Sequence, residues 1–163
     1  MKRKLIFALA GVCFSTCCVS AGSKVDVSAV ITRADAEKIL GVPVKDPKGR
    51  NKEGADGFYD SEWSYYAVSG DKALVFDLVI PGHDAPPNLT KTMFSILPAD
   101  VAKSTKVDGL GDKAIFYHDK TTGLEMLNVL KGDVLITIGI HGLPADAAVE
   151  QEKSAATKIL ARL

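Results

Sequence analysis

The residues of this chain best suited to chemistry are its three histidines, His83, His118 and His141, two of which are followed by aspartate. Imidazole is a common zinc ligand, and a zinc site takes three or four ligands in a tetrahedral arrangement. The histidines are at least 23 residues apart in sequence and form no H-x-x-x-H pair. Each falls at the end of a predicted strand, where an exposed polar residue is ordinary. The spacing therefore predicts no metal site and no cofactor.

Three short motifs share part of their pattern with enzyme sites. Residues 69–72 match the S-x-x-K motif of serine acyl-enzymes, and residues 120–123 are distantly similar to the K-T-G motif of the same enzymes. In those enzymes the first motif opens a helix, whereas here it has the composition of a hairpin turn, and no S-D-N sequence is present. Residues 109–112 lack the third glycine of a dinucleotide-binding fingerprint. We therefore predict no catalytic residues, and a hydrolytic enzyme ranks third, behind two binding functions.

Sequence patterns predict five strands and three helices around these motifs. Alternating or continuous apolar residues indicate strands over residues 58–68, 73–80, 113–118, 124–130 and 134–140. Thr32, with Asp35 three residues later, is typical of a helix start, and Gly41 ends that helix. Asn88 and Pro144 precede the other two helices. Short connections favour an α+β fold, with a single antiparallel sheet on which N-terminal, middle and C-terminal helices pack.

The register of the last strands predicts a candidate site. Gly132-Asp133 is a two-residue hairpin signal, so Leu130 pairs with Leu135 and Met126 with Gly139. If residues 119–123 form a five-residue connection, one face carries a shallow apolar notch with two imidazoles on its rim. This site would consist of Phe116, His118, Met126, Gly139 and His141. The functional interpretation is a small-ligand or partner site, and the favoured alternative is that another helix covers the patch.

An aromatic strand offers a second candidate surface. Tyr59, Trp63 and Tyr65 alternate on one face of the strand at 58–68, where they would stack a sugar or anchor an interface. Large aromatic side chains in a strand more often belong to the core, which is the favoured interpretation. Asp77, between Val75 and Val79, is expected to mark the solvent face of its strand rather than a catalytic carboxylate.

The N-terminal segment predicts export. Residues 2–4 are basic, residues 5–19 are mostly apolar, and a small-residue cleavage site ends at Ala21, as in a secretory signal peptide. The predicted organisation is a signal peptide over residues 1–21 and a single domain over residues 22–163, in which the polar stretch 45–57 is a flexible loop. Cys13, Cys17 and Cys18 all lie in the signal. No residue before them fits a lipid-attachment site well, so a lipid anchor is the alternative to a soluble periplasmic or secreted protein.

Charge limits the partners. The whole chain has 20 basic and 20 acidic residues, and removal of the signal leaves 17 basic against 20 acidic, a formal charge of −3. This balance does not favour nucleic acid as a partner. The apolar part of the signal is too short for a membrane anchor, so no transmembrane segment is expected after cleavage.

The sequence resembles small, largely uncharacterised bacterial envelope proteins, many of which are lipoproteins. The likeness lies in a V-x-G-L-G-D-x-A turn at residues 107–114, a K-G-D hairpin at residues 131–133, a C-terminal helix and the segment AEKILGVPV at residues 36–44. It implies a fold and a location but no chemistry. We therefore expect an exported, non-enzymatic binding protein that interacts with another envelope protein as an inhibitor, immunity or accessory factor. The alternative is a small-molecule or metal carrier that uses the histidine-rimmed notch.

Overall fold

The computed structural model describes residues 24–54, 57–97 and 103–163. The predicted signal peptide and the three cysteines lie outside the described residues. Within those ranges the chain forms four helices and seven strands. In order they are α1 (Val27–Val30), α2 (Arg33–Leu40), β1 (Lys48–Glu53), β2 (Phe58–Tyr66), β3 (Ala73–Pro81), α3 (Leu89–Ser95), β4 (Thr105–Lys106), β5 (Lys113–Asp119), β6 (Leu124–Lys131), β7 (Val134–His141) and α4 (Ala145–Leu160).

The strands form one antiparallel sheet in the order β1-β2-β3-β7-β6-β5-β4. The predicted α+β class with a single antiparallel sheet is therefore confirmed, whereas the expected number of about five strands was too low. Two strands were missed: β4, which has only two residues, and β1, which lies inside the stretch predicted to be a loop. All six residues of β1 are exposed and none is apolar, so the sequence shows no alternation of apolar residues there. The strand is held by backbone pairing to β2.

The helix ends follow local capping. Thr32 accepts from the Asp35 backbone while Asp35 accepts from the Thr32 backbone, and Gly41 closes α2 in the left-handed conformation, at φ 68°. These features match the prediction. The middle helix differs in its cap, because Asn88 makes no side-chain cap hydrogen bond and itself lies at φ 62°.

One face of the sheet carries the main core, and α1, α2 and α4 pack on it; we call it the covered face. The predicted β6–β7 register is confirmed, since Leu127 pairs with Ile138 and Val129 with Ile136. The covered face also takes alternate residues of the two neighbouring strands. Its wholly buried strand residues include Tyr65, Leu74, Leu78, Leu127, Val129, Ile136, Ile138 and Ile140.

The opposite face, which we call the open face, is covered in part by α3. A small apolar cluster of Phe58, Val79 and Leu135 receives Leu89 and Met93 from this region. The contacts of α3 are with β3, β6 and β7 near the end where β3 terminates. The two faces of the sheet are therefore unequal: one carries the main core, and in the described parts of the chain the other is covered by the short helix α3.

No helix among the described residues is long and apolar enough to cross a membrane.

Candidate functional site

The structure separates the five residues of the predicted notch. Met126 and Gly139 are paired on the open face, as predicted, and His141 lies at the same end of β7. Phe116 instead pairs with Leu127 and His118 with Glu125, so both lie on the covered face. A shift of one residue moves every side chain of a strand to the other face. The proposed register of β5 against β6 was wrong, and the two imidazoles do not share a rim.

A local turn explains the shifted register. Asp119 itself pairs with Leu124, which leaves a connection of only residues 120–123. The Asp119 carboxylate accepts hydrogen bonds from the Thr121 amide at 2.9 Å and the Thr122 hydroxyl at 2.7 Å. Gly123 closes the turn at φ 72°. This side-chain turn extends β5 by the one residue that reverses its facing.

The space expected at Gly139 is filled by its neighbours. A Cβ placed on this buried residue would lie 2.8 Å from the Met126 sulfur and 2.9 Å from a Val75 methyl group. The absent side chain allows the residues of β6 and β3 to approach each other. Gly139 therefore allows Met126 and Val75 to pack closely on the open face, and these side chains fill the notch without a helix.

The three histidines lie in different surroundings. His83 is exposed in a turn. His118, about half exposed, has its Nδ1 3.0 Å from a Glu125 carboxylate oxygen. His141 has its Nδ1 2.9 Å from the Gly123 carbonyl, and its Nε2 lies 3.5 Å from Asp71. In the parts of the chain that the structure describes, no group of three or more His, Cys, Asp or Glu side chains is arranged to hold a metal ion.

The three aromatic residues of the predicted surface, Tyr59, Trp63 and Tyr65, lie on the covered face of β2. Tyr65 is wholly buried, donates its hydroxyl proton to the Ile31 carbonyl, and makes an edge-to-face contact with Phe76 at 6.2 Å between ring centroids. Tyr59 donates to the Val25 carbonyl at 3.2 Å, and Trp63 packs partly buried against the same core. The burial of these side chains supports the core interpretation over an exposed aromatic surface.

A different pocket opens beside the turn that joins β2 to β3. Its volume is about 330 Å³, and we call it the basic pocket. It is lined by Lys45, Lys48, Tyr66, Ala67, Gly70, Asp71 and Lys72. Three lysines and one aspartate therefore line one concavity.

Backbone pairing brings the pocket lysines together. The Lys45 amide donates to the Tyr66 carbonyl at 2.8 Å, and Val44 forms an isolated bridge with Ala67, which holds the chain before β1 against the end of β2. Lys72 donates from its Nζ to the Leu40 carbonyl at 2.9 Å and so ties the turn to the end of α2. The pocket wall is thus formed where three ordered segments meet: the chain before β1, the turn between β2 and β3, and the end of α2.

His141 borders this pocket through Asp71. The Gly123 carbonyl only accepts, so the His141 Nδ1 carries the hydrogen of that bond. Its Nε2 lies 3.5 Å from the Asp71 carboxylate, at the edge of the pocket. Because Asp71 also lines the pocket, its carboxylate offsets part of the positive charge of the three lysines.

Two carboxyl groups lie where ionisation is unfavourable. Glu152 on α4 is wholly buried, neither of its oxygens has a partner with hydrogen-bond geometry, and burial together with the nearby Glu125 raises its pKa to about 9. The Ile140 amide opposes this shift in part. On the open face, burial raises the pKa of Asp77 to about 6, with Glu62 and Asp60 adding to the effect. Asp77 lies on the open face, away from the main core, as the alternation of its strand predicts, and it is partly buried there.

No protein-family model matches this chain, and comparisons with curated proteins and with solved structures also find no match.

The basic pocket was missed because two of its lysines fall in the stretch predicted to be a flexible loop. The sequence did carry a signal, since lysines recur at positions 45, 48 and 52. Their significance depends on the Val44–Ala67 bridge, which sets them beside Lys72.

Proposed function

We propose that this chain is an exported, non-enzymatic binding protein of the bacterial envelope that holds an anionic group of its partner in the basic pocket. The observation that carries the proposal is the convergence of Lys45, Lys48 and Lys72 on a concavity of about 330 Å³. Ammonium groups that line a recess attract carboxylate or phosphate groups and hold them by charge-assisted hydrogen bonds.

Apolar surface next to the lysines supports a protein partner. Tyr66 is 43% exposed on the pocket wall, and Val68, 56% exposed, follows it in the chain. Interfaces combine exposed aromatic or aliphatic anchors with charged groups that set orientation. A segment with acidic side chains next to an apolar residue would satisfy both parts of this surface.

The location belongs to the same proposal. The segment 1–21 has the pattern of a secretory signal, so the partner would be another envelope protein, with a lipid anchor as the alternative mode of retention. Nucleic acid is not the proposed anion, because the predicted mature chain carries a formal charge of −3.

Calorimetric titration with two anionic probes tests the pocket. A blocked hexaglutamate peptide represents an acidic protein segment, and citrate represents a small free anion. We expect saturable binding that weakens as salt concentration rises. The double variant Lys45→Gln/Lys48→Gln should weaken binding of the probe by about tenfold or more, since the loss of one charged hydrogen bond costs roughly 1.5–3 kcal/mol. Lys72 is left intact because its ammonium caps α2.

A charge-matched control distinguishes binding in the basic pocket from nonspecific attraction between the anionic probe and surface lysines. Lys38→Gln/Lys113→Gln removes the same charge from two exposed lysines that do not line the pocket. Equal weakening in the two double variants would contradict the proposal. Stronger binding of hexaglutamate than of citrate would favour a protein partner, and the reverse order would favour a small-molecule carrier.

A further inference from the structure

Strand β1 forms one edge of the sheet, so only β2 pairs with it in the described parts of the chain. Gly54, just past β1, donates from its amide to the Phe58 carbonyl at 2.8 Å and continues the same register. Hydrogen-bonded pairs alternate with non-hydrogen-bonded pairs in an antiparallel ladder, so Lys48, Arg50 and Lys52 direct their backbone groups to β2. The backbone groups of the other three residues point away from the sheet; these residues are Gly49, Asn51 and Glu53.

The outward backbone groups of β1 are available to a further strand. Within residues 24–54, 57–97 and 103–163, no backbone hydrogen bond involves the amides or carbonyls of Gly49, Asn51 and Glu53. All six residues of the strand are exposed. An exposed edge strand is able to accept an extended segment of another chain, whose main chain continues the ladder and whose alternate side chains give specificity.

The side chains of β1 indicate the charge of such a segment. Lys48, Arg50 and Lys52 lie on the open face, in the positions where an antiparallel neighbour would bring its own side chains closest. Arg50 pairs with Glu62 of β2 at 3.1 Å, whereas among the described residues neither lysine forms an ion pair. A second copy of β1 would place like charges opposite one another, which is destabilising. Acidic side chains at every second position would be complementary.

Trp63 lies against the same edge on the covered face. A Cβ placed on Gly49 would lie 2.6 Å from the indole ring, and the indole Nε1 donates to the Asn51 side-chain oxygen at 3.2 Å. The indole is partly exposed, and it belongs to the only tryptophan of the chain. A strand added to β1 would pass beside this ring, and tryptophan is a frequent anchor of interfaces.

We propose that the partner's acidic segment adds to the outer edge of β1 as an extended antiparallel strand, with an acidic residue opposite each of Lys48, Arg50 and Lys52. This inference rests on the proposed function and deepens it, because Lys48 belongs both to β1 and to the lining of the basic pocket. The segment runs from the basic pocket along β1. The partner is thus recognised by its main chain as well as by its charge.

Two isomeric peptides test the main-chain contact by titration of the Trp63 fluorescence. The parent peptide is a blocked hexapeptide in which threonine and glutamate alternate. In the proposed pairing its threonine amides donate to β1 and its glutamate amides point away. N-methylation of all three glutamates should leave the affinity of the parent nearly unchanged. N-methylation of all three threonines should weaken binding by about tenfold or more, although charge and composition are the same.

Amide hydrogen exchange locates the contact on the chain. With the parent peptide bound, the amides of Gly49, Asn51 and Glu53 should exchange more slowly, because they acquire hydrogen-bond partners. The amide of Arg50, already directed to β2, should change much less.

A charge reversal tests the side-chain contact. Lys52→Glu should weaken binding of the parent peptide by about fivefold or more. Lys38→Glu is the control, since it makes the same change at an exposed residue of α2. Equal affinities of the two methylated peptides, unprotected outward amides or equal effects of the two variants would overturn the added strand. Failure of the proposed function would differ, appearing as hexaglutamate binding that does not depend on Lys45 and Lys48.

Discussion

The carboxyl group of Glu152 makes the stability of this protein depend on pH in a predictable direction. The side chain lies in the middle of α4, wholly buried against the covered face, and its pKa is about 9 against an ordinary value of 4.5. The folded state therefore holds a proton on Glu152 in the pH range where the unfolded chain has released it. A group of this kind contributes most favourably below pH 4.5, becomes progressively less favourable as pH rises to about 9, and is constant above that.

The magnitude follows from the difference in pKa. Each pH unit within the window changes the free energy of unfolding by about 1.4 kcal/mol per proton. At pH 7 the accumulated loss attributable to Glu152 is therefore about 3 kcal/mol relative to pH 4.5. Such a loss is a large fraction of the roughly 5–15 kcal/mol by which domains are stable. Glu152→Gln has the same shape and no titration, so the variant should lack this part of the pH dependence.

Urea unfolding at pH 5, 7 and 9 measures the effect. The difference in free energy of unfolding between Glu152→Gln and the unsubstituted chain should move in favour of the variant by several kcal/mol between pH 5 and 9. Glu150→Gln is the control, because Glu150 lies on the same helix, is exposed and pairs with Lys153. The control should follow the unsubstituted chain. Parallel pH profiles for Glu152→Gln and the unsubstituted chain would refute the argument from burial.

Two further predictions concern the open face. The pKa of Asp77 is raised to about 6 from 3.8, so the free energy of unfolding should fall between about pH 4 and 6. Asp77→Asn should remove up to about 3 kcal/mol of that fall, whereas the control Asp84→Asn, at an exposed residue, should not. Identical urea profiles for the two variants would count against this prediction. Gly139→Leu should destabilise the fold by about 1–3 kcal/mol, because its side chain would meet Met126 and Val75; an unchanged urea midpoint would mean that these neighbours move aside freely.

Helical periodicity predicts only part of the buried face of α4. Helical spacing in the sequence places the apolar residues Val149, Ala156, Ile159, Leu160 and Leu163 on one stripe. Ala156 and Ile159 are wholly buried, but Leu163 is exposed, and the buried set also includes Ala148, Glu152 and Ala155. Glu152 lies four residues from both Ala148 and Ala156, so it shares the face of the helix that packs on the sheet and is buried there although glutamate is rarely buried.

Local patterns determined most of the fold. The Gly132-Asp133 turn specified the β6–β7 register, and Thr32 with Asp35 specified the start of α2. Both depend on interactions within a few residues of the chain, which is why the sequence alone was sufficient. Strand β1 was not predictable in this way, because its residues are polar and it is defined by its pairing with β2.

The candidate sites depended on tertiary structure. The one-residue extension of β5 at Asp119 reversed the facing of Phe116 and His118 and removed the predicted notch. The basic pocket exists because a bridge between Val44 and Ala67 joins segments that are more than twenty residues apart. Sequence periodicity determines which residues are apolar and where elements begin, whereas register across a turn and the meeting of distant segments are decided only when the sheet closes.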